Sequence, residues 1–99
     1  LARGLDPAVL VAAATVFPAR RFRLRGKGAI AVGADADLVL ADLAADEAIT
    51  ADRMLQRHPI TPFAGRRTRV RVARTILRGA TVALDGQLAG PPLGRLVTI

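Results

Sequence analysis

The chain has 99 residues, of which 52% are apolar, and 15 basic against eight acidic residues give a formal charge of +7. A chain of this length forms one small domain at most, and its apolar content excludes an intrinsically disordered protein. No uninterrupted apolar run is long enough to cross a membrane, and the absence of cysteine excludes disulfides and thiolate metal sites.

The start of the chain and its lack of cysteine bear on its origin. Residues 1–4 contain neither an initiator methionine nor the start of a signal peptide, so we expect the chain to begin inside a longer protein. A cysteine-free sequence fits a reducing compartment. These features predict a cytoplasmic location.

The first predicted element is a helix from Pro7 to about Val16. Asp6 is suited to cap its first N–H groups, and proline is favoured at the first helical position, where no donor is needed. The helix is apolar on every side, so we expect it to be covered all round. Pro18 is predicted to end it, because proline lacks an N–H and disfavours helical geometry in the residue before it.

Two short neighbouring strands are predicted after a basic loop at 20–26. They lie at about 29–32 and 37–41, with Gly33 between them, where a positive φ is cheap for glycine. Residues 38–40 are a continuous apolar run, which is typical of a strand covered on both faces.

The middle of the chain, residues 43–65, is predicted to be mostly irregular. Within it we expect a short helix at about 51–56 and a brief strand at Ile49. The proline-marked stretch 58–63 is expected to be a loop.

A β-meander is predicted for the last third of the chain. Charged and apolar residues alternate through 67–72, which indicates a strand with one face in water. Turns are expected at Arg78-Gly79 and Asp85-Gly86. The strands that they connect are predicted at about 73–77, 80–84 and 87–89. The fold class is therefore α+β with β structure dominating: one N-terminal helix packed against a small, mostly antiparallel sheet.

Four stretches of the chain together resemble cyclic amidohydrolases. The densest, KGAIAVGADADLVLADL at 27–43, resembles the segment that follows the catalytic barrel in allantoinases, dihydroorotases and dihydropyrimidinases. The others occur in the family's order: PAR at 18–20 with Phe22 and Leu24, HPITPF at 58–63 with Gly65-Arg66, and TILRG at 75–79 with Asp85-Gly86. The resemblance therefore covers nearly the whole chain.

The resemblance implies both a domain organisation and a parent activity. Residues 1–24 would be the last helix of a (β/α)₈ barrel with its connector, and residues 25–99 a segment of the accessory β-domain. The parent enzyme would hydrolyse a cyclic amide such as allantoin, dihydroorotate or a hydantoin. One or two metal ions, usually zinc, held by histidines, a carboxylated lysine and an aspartate in the barrel, would activate water.

The chain's composition argues that the implied metal site is not within it. It has one histidine and one lysine in total, too few for that ligand set. We therefore predict no catalytic, cofactor-binding or metal-binding residue here and no activity for the chain alone. Zinc is expected in the absent barrel.

Lys27 and two aspartates are the first candidate residues for chemistry. Lys27 stands between Gly26 and Gly28, as in a phosphate loop, but the spacing is wrong and a strand is predicted to follow in place of a helix. Asp35 and Asp37 could be paired carboxylates for acid–base work. Their place at a turn favours hydrogen bonds to the local backbone and strand initiation instead.

His58 is the only imidazole, and we predict a structural or solvated role for it. It adjoins Pro59 on the predicted loop, and a metal site needs further ligands at fixed spacing. We assign no catalytic role to this residue.

Exposed apolar patches are expected on the helix and on the 38–40 strand, because the parts of the parent that would cover them are absent. The expected partners are accordingly the missing barrel and the N-terminal strands of the parent, together with self-association. We expect no membrane association. The +7 charge suggests nucleic-acid binding, but the arginines are dispersed and only three aromatics are available for stacking, which argues against it. The alternative function is a freestanding β-rich binding or oligomerisation module without catalysis.

Overall fold

The computed structural model describes residues 4–98. Two short helices, α1 (Pro7–Ala14) and α2 (Val16–Arg21), are followed by a connector of residues 22–37. The remaining elements are β1 (Leu38–Asp42), β2 (Glu47–Ala48), a 3₁₀ turn (Ala51–Arg53), β3 (Arg67–Thr68), β4 (Arg71–Leu77), β5 (Ala80–Leu84) and β6 (Gln87–Leu88).

Helix α1 begins as predicted. Asp6 Oδ1 accepts a hydrogen bond from the Ala8 N–H at 2.9 Å, and Pro7 is the first helical residue. The helix ends earlier than predicted, at Ala14. The next residue, Thr15, has φ −124° and ψ −80°, which breaks the helix.

Pro18 does not end the helical segment, and this prediction was wrong. A second helix, α2, starts directly after Thr15 and contains Pro18 in its first turn. The first N–H groups of a helix have no partner within it, so proline is tolerated there. The segment ends at Arg21, and Arg23 then has a φ of 55°, outside the helical range.

The larger sheet confirms the predicted antiparallel meander. Its strand order is β1-β4-β5-β6, and every pair is antiparallel. The turns are Arg78-Gly79 and Asp85-Gly86, where all four residues have positive φ. That geometry suits the right-handed twist of the flanking strands in a tight hairpin.

Two predictions about the strands were wrong. Residues 29–32 form no strand, and β1 pairs with β4 instead of with them. The alternating stretch 67–72 is divided: β3 pairs with β2, and β4 begins at Arg71. A strand is fixed by its hydrogen-bonding neighbour, which a local pattern does not specify.

The smaller sheet of β2 and β3 orders the middle segment. Ile49, predicted to be in a brief strand, directly follows β2 and continues its pairing. Its N–H donates to the Arg66 carbonyl and its carbonyl accepts from the Gly65 N–H, both at 2.8 Å. The predicted helix at 51–56 is reduced to the 3₁₀ turn at Ala51–Arg53.

The described residues contain almost no core. Ala19, at 7% exposed, is the only one of residues 4–98 that is buried. The accessible surface is 8240 Å², against about 5400 Å² expected for a compact monomer of this mass. The radius of gyration is 15.1 Å, against about 13 Å for a compact domain of this length.

The helices do not pack on the sheet in the way that we predicted. Helices α1 and α2 pack mainly on each other, and their contact with the sheet is slight. The predicted exposed apolar patches are present. They include Val9, Val11, Phe17, Ile30, Val39 and Leu40.

Candidate functional site

Lys27 has more ionic partners than any other charged residue of the connector. Its Nζ lies 2.8 Å from Asp35 Oδ2 and also donates to Asp37 Oδ2. The other carboxylate oxygen of Asp37, Oδ1, accepts the Arg78 backbone N–H at 2.8 Å. We call these three side chains and the Arg78 N–H the Lys27 cluster. It ties the connector to the turn between β4 and β5.

The prediction of local hydrogen bonds was wrong for Asp37. Its carboxylate binds a lysine ten residues away and an amide 41 residues away. Asp35 forms an ion pair with Lys27 and donates its backbone N–H to the Gly26 carbonyl at 2.9 Å. The two aspartate side chains lie close together because both bind the Lys27 ammonium group.

The charges of the Lys27 cluster stabilise one another. Hydrogen bonds with Asp35 and then Asp37 raise the pKa of Lys27 above its usual 10.5. The hydrogen bond from Lys27, followed by that from the Arg78 N–H, lowers the pKa of Asp37 below its usual 3.8. Both groups therefore stay charged near neutral pH, so neither is poised for proton transfer. The arrangement suits a structural role.

Gly28 connects the Lys27 cluster to the helices. It has a φ of +85°, and a Cβ at this position would lie 2.5 Å from the Ala19 Cβ and 2.9 Å from the Thr15 carbonyl oxygen. Only glycine fits this close approach without displacing the backbone. Sequence reasoning missed this role, because glycine beside lysine gave no signal of packing against a helix.

Arg71 is the centre of a second charged group, which sequence reasoning also missed. Its guanidinium lies 2.9 Å from Asp85 Oδ1, 3.8 Å from Glu47 Oε1 and 3.9 Å from Asp42 Oδ2. The hydrogen bond to Asp85 is the main cause of its raised pKa. Arg71 thereby links β1, β2 and the turn after β5. The alternating pattern had suggested only a charged face in water.

His58 lies in the exposed loop between the 3₁₀ turn and β3. Its backbone carbonyl accepts the Ile60 N–H at 2.7 Å, and its imidazole has no hydrogen bond within residues 4–98.

The side chains present do not fit a zinc site of the kind that the resemblance implies. Among the described residues no group of three or more His, Cys, Asp or Glu side chains could hold a metal ion. The acids gathered around Arg71 face a guanidinium, which occupies the position that a cation would need. No catalytic step through a metal can be derived from this chain.

No helix in the described part of the chain is both long and apolar enough to span a bilayer.

Comparison with known proteins places these features in a family. The sequence model of the amidohydrolase family matches residues 1–82. An allantoinase from Rubrobacter xylanophilus is 45% identical over 95 residues, which are 96% of this chain and 21% of the relative. A dihydroorotase from Pyrococcus horikoshii is 34% identical over 88 residues, covering 89% of this chain and 21% of that protein.

Solved structures agree with the sequence comparison. The D-hydantoinase (dihydropyrimidinase) from Thermus sp. superimposes with a TM-score of 0.82 at 32% identity, over 89% of this chain and 19% of that one. The L-hydantoinase from Arthrobacter aurescens gives a TM-score of 0.70 at 34% identity, over 74% of this chain and 16% of that one. The chain thus spans about a fifth of the length of the curated relatives that it matches.

Proposed function

The chain belongs to the amidohydrolase family, and from this premise we propose that it is the C-terminal structural portion of a metal-dependent enzyme that hydrolyses a cyclic amide. Allantoin, dihydroorotate and hydantoins are the candidate substrates, because the relatives are named allantoinase, dihydroorotase and hydantoinase. Residues 1–24 would supply the last barrel helix and its connector. Residues 25–99 would supply a segment of the accessory β-domain. The parent enzyme would be cytoplasmic.

The observation that carries this proposal is the excess of exposed surface. The chain exposes about half as much area again as a compact monomer of its mass. The difference is similar in size to an obligate protein interface, which buries 2000 Å² or more. Helix α1 has no buried residue, although its sequence is apolar on every side. Such surfaces are stable when another part of the polypeptide covers them.

The role of this chain in the reaction would be to support the shape of the enzyme. A metal in the absent barrel would supply the activated water. The residues described here hold the connector against the helices through Gly28 and against the sheet through Asp37. Their proposed contribution is a rigid attachment between the barrel and the accessory domain.

A reconstitution experiment tests the proposal. The allantoinase from Rubrobacter xylanophilus would be shortened by the segment that matches this chain, and produced with and without the 99 residues. Allantoin hydrolysis is expected only when both pieces are present, with zinc bound by the larger one. Hydrolysis by the isolated 99-residue chain, or stoichiometric zinc on it, would refute the structural assignment.

Self-association of the isolated chain follows from the same surface. Sedimentation at increasing concentration is expected to show a rising average mass, because a second copy can cover the exposed apolar side chains. A compact monomer at all concentrations, together with failure to restore allantoin hydrolysis, would favour the alternative of a freestanding module.

A further inference from the structure

Three arginines at the end of α2 and in the connector surround an open cleft. The cleft has a volume of about 490 Å³ and lies between α2 and the start of the connector. Its basic residues are Arg20, Arg23, Arg25 and Lys27. The rest of its lining is aliphatic and comprises Val16, Ala19, Leu24 and Ala29. The cleft therefore combines positive charge with an apolar floor.

The three arginines of the cleft are not neutralised. Lys27 is paired with Asp35 and Asp37, but no carboxylate in residues 4–98 forms an ion pair with Arg20, Arg23 or Arg25. Arg23 also holds a positive φ of 55°, which is unfavourable for a residue with a side chain. The cleft is thus lined by three arginines that have no ion-pair partner in residues 4–98.

The acidic residues of this chain cannot supply the counter-charge for these arginines, either in the same molecule or in a second copy. Of the eight acidic residues, seven are already engaged: Asp6 caps α1, Asp35 and Asp37 bind Lys27, Asp46 pairs with Arg67, and Asp42, Glu47 and Asp85 face Arg71. Asp52 alone is left. The occupant of the cleft has to bring its own carboxylates.

We propose that the cleft binds an acidic amphipathic protein segment. Its carboxylates would meet the guanidinium groups of Arg20, Arg23 and Arg25, which present planar forks suited to carboxylate oxygens. Its apolar side chains would cover the aliphatic floor. The source is the part of the amidohydrolase that lies outside these 99 residues, so this inference rests on the proposed function.

A protein segment fits the cleft better than a nucleic acid does. Base stacking needs aromatic platforms, and the residues that line the cleft include none. Phosphate alone would satisfy the arginines but leave the aliphatic floor exposed. A chain that alternates acidic and apolar residues satisfies both.

Binding of a probe peptide tests the inference on the 99-residue chain. A fluorescent peptide of alternating Glu and Leu would be titrated with the wild type and with the triple variant Arg20→Gln, Arg23→Gln, Arg25→Gln. The triple variant is expected to bind about tenfold more weakly, because it removes three exposed ion pairs. The matched control is Arg57→Gln, Arg74→Gln, Arg95→Gln, which removes the same charge from exposed arginines outside the cleft. It is expected to bind nearly as well as the wild type.

Two further probes decide between occupants. A peptide of alternating Glu and Ser has the same charge and is expected to bind more weakly, because it cannot cover the apolar floor. A thymidine oligonucleotide is expected to bind with no preference for the cleft arginines. Equal losses in both triple variants, equal binding of the two peptides, or oligonucleotide binding that depends on Arg20, Arg23 and Arg25 would each overturn the proposal.

The outcome is separable from that of the reconstitution experiment. Restored allantoin hydrolysis without cleft-dependent peptide binding would overturn the cleft proposal and leave the structural role intact. Cleft-dependent binding without restored hydrolysis would overturn the proposed function and the source assigned to the segment.

Discussion

The sheet and the helix-connector region differ in how some of their arginines are paired. In the sheet and its adjoining turns, Arg53, Arg67 and Arg71 each face a carboxylate of the same chain. At the end of α2 and in the connector, Arg20, Arg23 and Arg25 face none in the described residues. Part of the positive charge of the sheet region is thus paired within the chain, whereas these three arginines of the helical region are not.

The apolar residues show a related difference. Residues of β4 and β5 are mostly half-buried, because the neighbouring strands cover them. Helix α1 has no buried residue, and Ile30 in the connector is 90% exposed. The two regions meet at the Lys27 cluster, and Gly28 joins the connector to the helices, so substitutions at these positions test the comparison most directly.

The largest effect is expected from Gly28→Ala. The new Cβ would overlap Ala19 and the Thr15 carbonyl, and the residue has a positive φ, so the free energy of unfolding should fall by about 3 kcal/mol. Gly33→Ala is the control: it has a similar φ but no atom within 4 Å of the new Cβ, and should cost about 1 kcal/mol. Urea denaturation followed by circular dichroism measures both. Equal losses would show that Gly28 does not pack on the helices.

A smaller effect is expected from Asp37→Ala, which removes the acceptor for the Arg78 N–H. Hydrogen exchange of that amide should become about tenfold faster, because the turn opens more readily. Asp37→Asn keeps an oxygen that can accept the bond and should restore much of the protection. If the alanine and asparagine variants exchange alike, the hydrogen bond is not what holds the turn.

The charges of the Lys27 cluster predict that the stability of the fold depends on pH at both low and high pH. Because the pKa of Asp37 is lowered, its contribution to stability is present above its usual 3.8 and is lost as the pH falls through the lower folded value. Because the pKa of Lys27 is raised, its contribution is present below 10.5 and is lost as the pH rises through the higher folded value. Melting midpoints measured across this range should fall at both ends.

Two variants of Lys27 separate the loss of stability at low pH from the loss at high pH. Lys27→Met should reduce both losses. Part of the loss at low pH should remain, because Arg67 lowers the pKa of Asp46. Lys27→Arg should remove only the alkaline loss, because arginine stays protonated there. If Lys27→Arg loses stability at high pH as the wild type does, the assignment of that loss to Lys27 is contradicted.

The smallest effect is expected from Arg71→Gln within the sheet. Its ion pairs are partly exposed and therefore weak, so the melting midpoint should fall less than in Gly28→Ala. Arg74→Gln is the control, since Arg74 is exposed on the same strand and has no carboxylate partner in residues 4–98. A larger fall in the melting midpoint for Arg71→Gln than for Gly28→Ala would reverse the expected order of the two effects.

Much of the fold and of its chemistry follows from local pattern. The Asp6 cap, the turns at Arg78-Gly79 and Asp85-Gly86, and the strands beside them were predictable, because each depends on the residues within one turn. The count of histidine and lysine argues against a metal ligand set in this chain, and the position of the active site elsewhere stays a prediction. Pro18 was misread, because the pattern does not show that a new helix starts at Val16.

The amino-acid sequence by itself determined the helix start, the meander and the membership in the amidohydrolase family, since these are carried by neighbouring residues and by motif order. Only the tertiary structure decided that β1 pairs with β4, that Asp37 binds Lys27 and Arg78, and that Gly28 touches Ala19. Those contacts join residues far apart in the chain, and their free energies depend on distances that no local pattern specifies.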